Sequence, residues 1–199
     1  MSQTKFIGIV SLATALVLGS LGALAAGIPS PAQSIGSTGD EGALALLERN
    51  AAAGDHVAQF QLGQKYAFGQ GTTQNYAKAA QWWQKAAASG DPVAQTDLGW
   101  LYYQGQGVPQ DYRQAAAWWR KGAEAGNAKA QGGLAWLYAT GQGVGRHNVT
   151  AAKWAIVAKA GGFDRASGVL QYVESQMSRG QIREAQRQAD SWWAAHRAD

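Results

Sequence analysis

Apolar positions recur along most of this chain at a fixed spacing of 36 residues. One copy of the pattern begins with Ala94, Leu98 and Tyr102, which follow one another at four-residue intervals. This spacing places the three side chains on one side of an α-helix. Asp91 precedes them in the position of an N-cap, and Gly105 follows them in the position of a C-cap. The pattern therefore predicts a short helix between these two residues.

A second apolar stripe follows a glycine-rich turn and predicts a second helix. Asp111 stands at its start as an N-cap, and Gly126 ends it. Four apolar residues of this helix are expected to face inward: Ala115, Trp118, Trp119 and Ala123. The segment 91–126 is therefore predicted to be a helix–turn–helix unit.

The same unit is present three times, over residues 55–90, 91–126 and 127–162. The positions that recur at this spacing include Leu62/Leu98/Leu134, Tyr66/Tyr102/Tyr138, Gly69/Gly105/Gly141, Gly71/Gly107/Gly143 and Trp82/Trp118/Trp154. Repetition with a period of this length is the signature of a solenoid, in which each unit buries its apolar face against its neighbours. The sequence predicts an all-α fold, an α/α solenoid of helix–turn–helix repeats with three full repeats and terminal caps.

The segments on either side of the repeats are predicted to cap the solenoid. Residues 40–54 are in phase with the second helix of a unit, so that Leu46 and Leu47 fall 36 residues before Trp82 and Trp83. Residues 163–199 begin like a first helix and continue with an amphipathic helix, which is expected to lie over the third repeat. Capping elements with a polar outer face are required because internal repeats expose apolar surface at both sides.

The first 26 residues have the features of an export signal, with a positive charge, a long apolar stretch and small residues at 23 and 25. An uncleaved membrane anchor is the less favoured alternative, because the apolar stretch approaches spanning length. Residues 27–39 are rich in Gly, Pro and Ser and are predicted to be a flexible linker. We therefore expect an exported protein, periplasmic or secreted, with no membrane span after cleavage.

The unit is similar to the Sel-1-like repeat (SLR), a relative of the tetratricopeptide repeat. The pattern A-x-x-x-L-G-x-x-Y-x-x-G-x-G-V-x-x-D-Y-x-x-A-x-x-W-W-x-K-x-A-x-x-G is matched in full by residues 94–126. The first unit departs from it at Thr72 and Asn75. The third unit has Ala135 in place of the first-helix glycine and Ala155 in place of the second tryptophan.

The resemblance implies a non-catalytic scaffold for protein–protein interaction, often at bacterial envelopes or host interfaces. Some relatives bind or process penicillin-like or peptidoglycan ligands, but those are rich in cysteine, and this chain has none. A cell-wall-associated binding or hydrolase-accessory protein remains the alternative. A secreted effector that binds a host protein is a third interpretation.

Charged residues and potential ligands do not indicate an enzyme. The formal net charge of +4 is spread through the predicted helices without a nucleic-acid-binding motif, so no nucleic-acid partner is expected. His56, His147 and His196 are far apart in sequence, and none has a second ligand at metal-binding spacing. Glu174 has no partner carboxylate close in sequence for glycan cleavage. We predict a monomer with no catalytic residues, no metal and no cofactor.

A second stripe on the first helices is the candidate binding site. Roughly opposite the core positions lie five aromatic side chains: Phe60, Phe68, Trp100, Tyr103 and Trp136. Because the first helices of a helix-pair solenoid line its concave face, these rings are predicted to form an aromatic track that binds a protein or peptide. Aromatic rings provide a large contact area at low entropic cost. The alternative is that the rings pack between neighbouring first helices or under the C-terminal cap.

Overall fold

The computed structural model describes residues 31–196, with side chains from Gly42 onward. The predicted export signal over residues 1–26 lies outside this range. The described chain consists of nine helices joined by short turns and contains no strand: α1 (Pro31–Ala52), α2 (His56–Phe68), α3 (Tyr76–Ala88), α4 (Pro92–Gln104), α5 (Tyr112–Glu124), α6 (Ala128–Thr140), α7 (Asn148–Ala160), α8 (Ala166–Glu174) and α9 (Arg179–His196). The predicted all-α fold is confirmed.

The helices pack in the order in which they follow one another, as a solenoid requires. Each of α2 to α7 has 13 residues, so the three units α2–α3, α4–α5 and α6–α7 are equal in size. Each helix from α1 to α7 contacts the next one along the chain. In addition, α4 contacts α6 and α6 contacts α8, so first helices of successive units lie side by side.

Side chains cap the helix starts as predicted. The Asp91 carboxylate accepts hydrogen bonds from the N–H groups of Val93 and Ala94, and Asp111 does the same at the start of α5. In the third unit, the Nδ1 atom of His147 accepts from the Thr150 N–H. These acceptors satisfy N–H groups that have no partner within a helix.

The two recurring glycines of the turn have different roles. Gly105 ends α4 with a φ of 71°, a left-handed conformation that costs glycine little. Gly107 also has a positive φ, and a Cβ atom there would lie 2.2 Å from the backbone carbon of Tyr76. Gly143 has the same relation to Tyr112. In the second and third units, the second glycine therefore lets the turn contact the start of the preceding unit's second helix.

A glycine–tryptophan pair fixes the distance between the two helices of a unit. A Cβ atom on Gly99 would lie 2.5 Å from the Trp119 ring, and the indole Nε1 donates a hydrogen bond to the Thr96 carbonyl at 3.0 Å. Gly63 and Trp83 repeat this arrangement in the first unit. In the third unit both positions are alanine, and both alanines are buried. Two of the departures of the third unit from the repeat pattern, Ala135 and Ala155, therefore lie at positions that contact each other in the other units.

The N-terminal cap extends further than predicted. The sequence suggested a flexible linker over residues 27–39, but α1 begins at Pro31, so that residues 31–39 are helical. Proline is accepted in the first turn of a helix because its missing N–H would have no partner there. Ala51 is buried against the first unit, and Leu47 is partly buried. Leu46 is exposed.

Helix α9 packs on α7 and covers the third unit. Its buried side chains are Ala185, Ala189 and Trp192. The Trp192 ring contacts Trp154 edge-on and stacks on the His196 ring at 4.1 Å. No helix within residues 31–196 is both long and apolar enough to cross a membrane.

Candidate functional site

The exposed apolar side chains of this protein are concentrated on the first helices. Within residues 42–196, seven large apolar side chains are exposed, and six of them belong to α2, α4, α6 and α8. We call these six the apolar strip: Val57, Phe68, Val93, Trp100, Trp136 and Tyr172. The seventh is Leu46 on α1.

Five of the six members of the apolar strip occupy equivalent positions in successive units, whereas the equivalents of Phe68 are Gln104 and Thr140. Val57 and Val93 are 36 residues apart, and so are Trp100, Trp136 and Tyr172. Val57 and Phe68 are 11 residues apart on α2, and Val93 and Trp100 are seven residues apart on α4. At 100° per residue, these positions fall within roughly 40° of one another around the helix axis. The strip therefore runs along one face of each first helix and continues from one unit to the next.

Tyr103, which is not itself a strip residue, holds two residues of the apolar strip, Trp100 and Trp136, in place. The Trp100 ring stacks on Tyr103 with centroids 5.8 Å apart. The Trp136 indole Nε1 donates a hydrogen bond of 2.9 Å to the Tyr103 hydroxyl. The fractional exposure is 50% for Trp100 and 42% for Trp136. Two exposed indoles from neighbouring units are thus fixed by one tyrosine between them.

The five residues predicted for the aromatic track fall into two groups. Phe68, Trp100 and Trp136 are exposed and belong to the apolar strip. Tyr103 is partly buried and also contacts Tyr112 and Trp119, so it supports the two tryptophans from beneath. Phe60 stacks on Trp83 with centroids 6.5 Å apart and packs against the core.

The exposed face of the first helices is rotated from the predicted one by roughly 35° about the helix axis. The prediction grouped Phe60 with Ala67 and their equivalents, but Ala67, Thr96 and Ala139 are buried. The rings of Phe60 and Tyr103 pack against the second helix of their own unit, through Trp83 and Trp119. The apolar strip stays exposed.

Tyr172 is a strip residue that the sequence reasoning missed. Its fractional exposure is 48%, and it occupies on α8 the position of Trp136 on α6. Glu174 replaces the core tyrosine of the repeat on α8, and this departure obscures the repeat at that point of the sequence. The signal was nevertheless present in the sequence, because aromatic residues recur at 100, 136 and 172.

Asp97 is an acidic residue on α4, one helical turn before Trp100 of the apolar strip. It lies in a cleft of about 330 Å³ between the starts of α4 and α6 and the turn before α8. Burial raises the pKa of the Asp97 carboxyl to about 6, while the Lys129 charge acts to lower it and the Asp91 charge acts to raise it. Within residues 42–196, the Asp97 carboxylate accepts no hydrogen bond and forms no ion pair.

The histidines are separate from this surface. His56 is exposed on α2, His147 caps α7, and His196 stacks on Trp192. In the described part of the chain, no three His, Cys, Asp or Glu side chains are grouped so that they could hold a metal ion.

The sequence model of the Sel1 repeat matches residues 56–91, 92–127 and 128–163, which together make up more than half of the chain. The chain belongs to the Sel1 repeat family. Sel1 repeat proteins are generally protein-interaction scaffolds, and the fold is typically non-catalytic. No curated protein matches the sequence.

Two solved structures support the assignment to the Sel1 repeat family. The Sel1 repeat protein from Oxalobacter formigenes is 40% identical, with a TM-score of 0.58, over 64% of this chain and 96% of that one. The protein c5321, a protective antigen present in uropathogenic Escherichia coli strains that displays an SLR fold, is 27% identical, also with a TM-score of 0.58. That match covers 76% of this chain and 40% of c5321.

The apolar strip extends through the Sel1 repeats and beyond them. Five of its six residues lie within the three matched repeats, whereas Tyr172 lies nine residues after the last of them. The C-terminal helices of this Sel1 repeat protein therefore add to the same exposed surface in addition to covering the third repeat.

Proposed function

We propose that this Sel1 repeat protein is a non-catalytic scaffold that binds a protein or peptide along the apolar strip. The observation that carries this proposal is the alignment of exposed apolar side chains on successive first helices. Such side chains are common singly on any surface, but a contiguous apolar patch on a protein marks an interaction site.

The aromatic members of the apolar strip are suited to binding. The contacts to Tyr103 restrict the rings of Trp100 and Trp136 before any partner arrives. Binding to rings that are already fixed loses less side-chain entropy than binding to mobile ones. Tryptophan and tyrosine are also enriched among the residues that dominate binding energies at interfaces.

The closer approach of the first helices supports a concave shape for this face. Contacts join α4 to α6 and α6 to α8, whereas contacts of this extent between the second helices α3, α5 and α7 are absent from the described fold. A stack in which one layer of helices is closer together curves toward that layer. A partner on the apolar strip would then be enclosed by neighbouring units.

Export is part of the proposal. The first 26 residues carry the features of a signal peptide, and the absence of cysteine removes any dependence on the redox state of the compartment. We infer a periplasmic or secreted monomer whose partner is exported or lies at the cell surface. A cell-wall component is the alternative occupant.

The test is a comparison of captured partners between two variants. Trp100→Ala/Trp136→Ala/Tyr172→Ala removes the exposed aromatic row but keeps Tyr103 and the core. Leu46→Ala is the control, because it removes an exposed apolar side chain that lies outside the apolar strip. Both variants are checked for unchanged helicity by circular dichroism, and both are used to capture proteins from envelope and secreted fractions.

The proposal predicts a partner that Leu46→Ala retains and the triple variant loses. Equal capture by both variants would contradict a role for the apolar strip. If peptidoglycan is retained by the wild type and lost by the triple variant while no protein is captured, the cell-wall alternative is favoured.

A further inference from the structure

The cleft beside the apolar strip combines apolar walls with an unpaired carboxylate. Val93, a strip residue, and the ring of Phe163 line it together with Thr96 and Asp97. Asp97 is partly buried, and no hydrogen-bond donor or cation of residues 42–196 is bonded to it. A buried charge without a partner is unfavourable for the fold.

The carboxylate is specific to the second unit. The equivalent positions in the other first helices are occupied by Gln61, Gly133 and Val169. The α/α packing is therefore formed in three other helices without an acidic group at this place. A stabilising role in the repeat does not explain Asp97, whereas a binding role does.

The charges around the cleft favour a cationic ligand. Asp91 and Lys129 are the charged groups whose fields act on Asp97, and Asp91 adds to its negative charge. The Lys129 ammonium lines the cleft but is exposed and forms no ion pair within the described residues. Of the two charged side chains that line the cleft, Asp97 is partly buried whereas Lys129 is exposed to solvent, and Asp91, outside the lining, adds to the negative potential at Asp97. Trp100, one helical turn from Asp97, adds an aromatic face of the kind that attracts cations.

We propose that the apolar strip binds an extended peptide segment whose Lys or Arg side chain enters this cleft and pairs with Asp97, while apolar side chains on either side of it contact Val93 and Trp100. This inference rests on the proposed function and specifies the chemistry of the partner. A partner cation would supply the hydrogen-bond donors that Asp97 lacks, and the cleft would exclude part of the water that weakens exposed ion pairs.

The probes are synthetic peptides of about ten residues, a length that spans about 33 Å when extended. All have the same flanking mixture of Leu, Phe, Ala and Gly, and the central residue is Lys, Arg, Gln, norleucine or Glu. Their affinities are measured by fluorescence polarisation for the full chain and for three variants: Asp97→Asn, Glu124→Gln and the Trp100→Ala/Trp136→Ala/Tyr172→Ala triple variant. Glu124→Gln is the control because it removes an exposed carboxylate on a second helix.

The wild type is expected to bind the Lys and Arg peptides about tenfold more tightly than the Gln peptide. Asp97→Asn should abolish this preference, and Glu124→Gln should keep it. Because Asp97 becomes protonated as the pH falls through about 6, the preference should also decrease from pH 7.5 to pH 5.

Two results would overturn the inference, and they differ in what they leave standing. If all five peptides bind equally and the triple variant loses them, the proposed function stands but the role of Asp97 is wrong. If no peptide binds the wild type, or if the triple variant binds as well as the wild type, the peptide-binding role of the apolar strip is wrong too.

Discussion

Gly99 and Trp119 show how a single pair of residues sets the geometry of a unit. The indole lies where a Cβ on Gly99 would be, at 2.5 Å. Adding a methyl group to a packed interior moves side chains off their preferred rotamers. The third unit has alanine at both equivalent positions, 135 and 155, which suggests that the glycine is needed only where the tryptophan is present.

This relation predicts a strong coupling between two substitutions. Gly99→Ala alone should lower the free energy of unfolding by about 1–3 kcal/mol, because the new methyl group meets the indole. In a Trp119→Ala background the same change should cost close to nothing. Urea unfolding of the two single variants and the double variant measures the coupling. Additive effects would show that the ring and the glycine do not constrain each other.

The partial burial of Asp97 predicts a cost for the fold. Because burial raises its pKa from 3.8 to about 6, the folded chain retains a proton between these pH values that the unfolded chain has lost. The free energy of unfolding therefore decreases as the pH rises from about 4 to about 6, and the loss persists at neutral pH. A residue that lowers stability at a site of exposed aromatic rings is better explained by binding than by folding.

Asp97→Asn should accordingly stabilise the protein at pH 7.5 by roughly 1–2 kcal/mol, a value reduced for the partial exposure of the carboxyl group. At pH 4 the variant and the wild type should be nearly equal. Urea unfolding at both pH values tests this. A variant that is less stable at pH 7.5 would mean that the carboxylate has a stabilising partner.

At the scale of the helices, the turn glycines meet two different constraints, a left-handed backbone conformation and a close contact with the preceding unit. Gly71 and Gly143 have nearly equal φ angles of 70° and 69°. A Cβ on Gly71 would meet nothing within 4 Å, whereas a Cβ on Gly143 would lie 2.3 Å from the Tyr112 backbone. Gly145, in the same turn as Gly143, has neither constraint.

Alanine at these three positions should therefore have graded effects. Gly145→Ala should be neutral or slightly stabilising, because alanine restricts the unfolded chain. Gly71→Ala should cost roughly 1–2 kcal/mol for the left-handed backbone. Gly143→Ala should cost roughly 2–4 kcal/mol, since the turn must also move away from α5. Thermal unfolding of the three variants gives the order, and equal effects at 71 and 143 would remove the role of the contact.

The sequence predicted the helices better than it predicted their exposed faces. The N-caps Asp91 and Asp111 and the C-cap Gly105 mark helix ends by local hydrogen bonding and backbone conformation, which the sequence determines directly. Exposure depends on every neighbour of a helix. Phe60 packs on Trp83 and Tyr103 packs on Trp119, so both rings are partly buried by the second helix of their own unit. The pattern of the first helix alone does not contain that information.

At the ends of the solenoid, the sequence also predicted some features and missed others. The apolar period placed Leu46 and Leu47 in the N-terminal cap; Leu47 packs against the first unit, whereas Leu46 is exposed. Composition alone suggested a linker over residues 27–39, although proline at position 31 is compatible with the first turn of α1. Tyr172 was overlooked because the prediction of the last helices relied on the core positions of the repeat. The aromatic residues at 100, 136 and 172 recur at an exposed position instead.

At the scale of the whole molecule, the fold provides one extended surface. The second and third units and helix α8 present aromatic rings at the same repeat position, Trp100, Trp136 and Tyr172. A repeat protein binds through such a surface because each unit adds the same small contribution in register. The Sel1 repeats thus account for the scaffold, and the apolar strip accounts for its proposed use.

The most direct test of this account places a photo-crosslinking residue on the protein in its native cells. Tyr172→p-benzoylphenylalanine reports contacts of the apolar strip, and Leu46→p-benzoylphenylalanine reports an equally exposed apolar position outside it. Illumination should join the protein substituted at 172 to a discrete partner and leave the protein substituted at 46 uncrosslinked. Crosslinking to the same partner from position 46, with none from position 172, would contradict binding through the first helices.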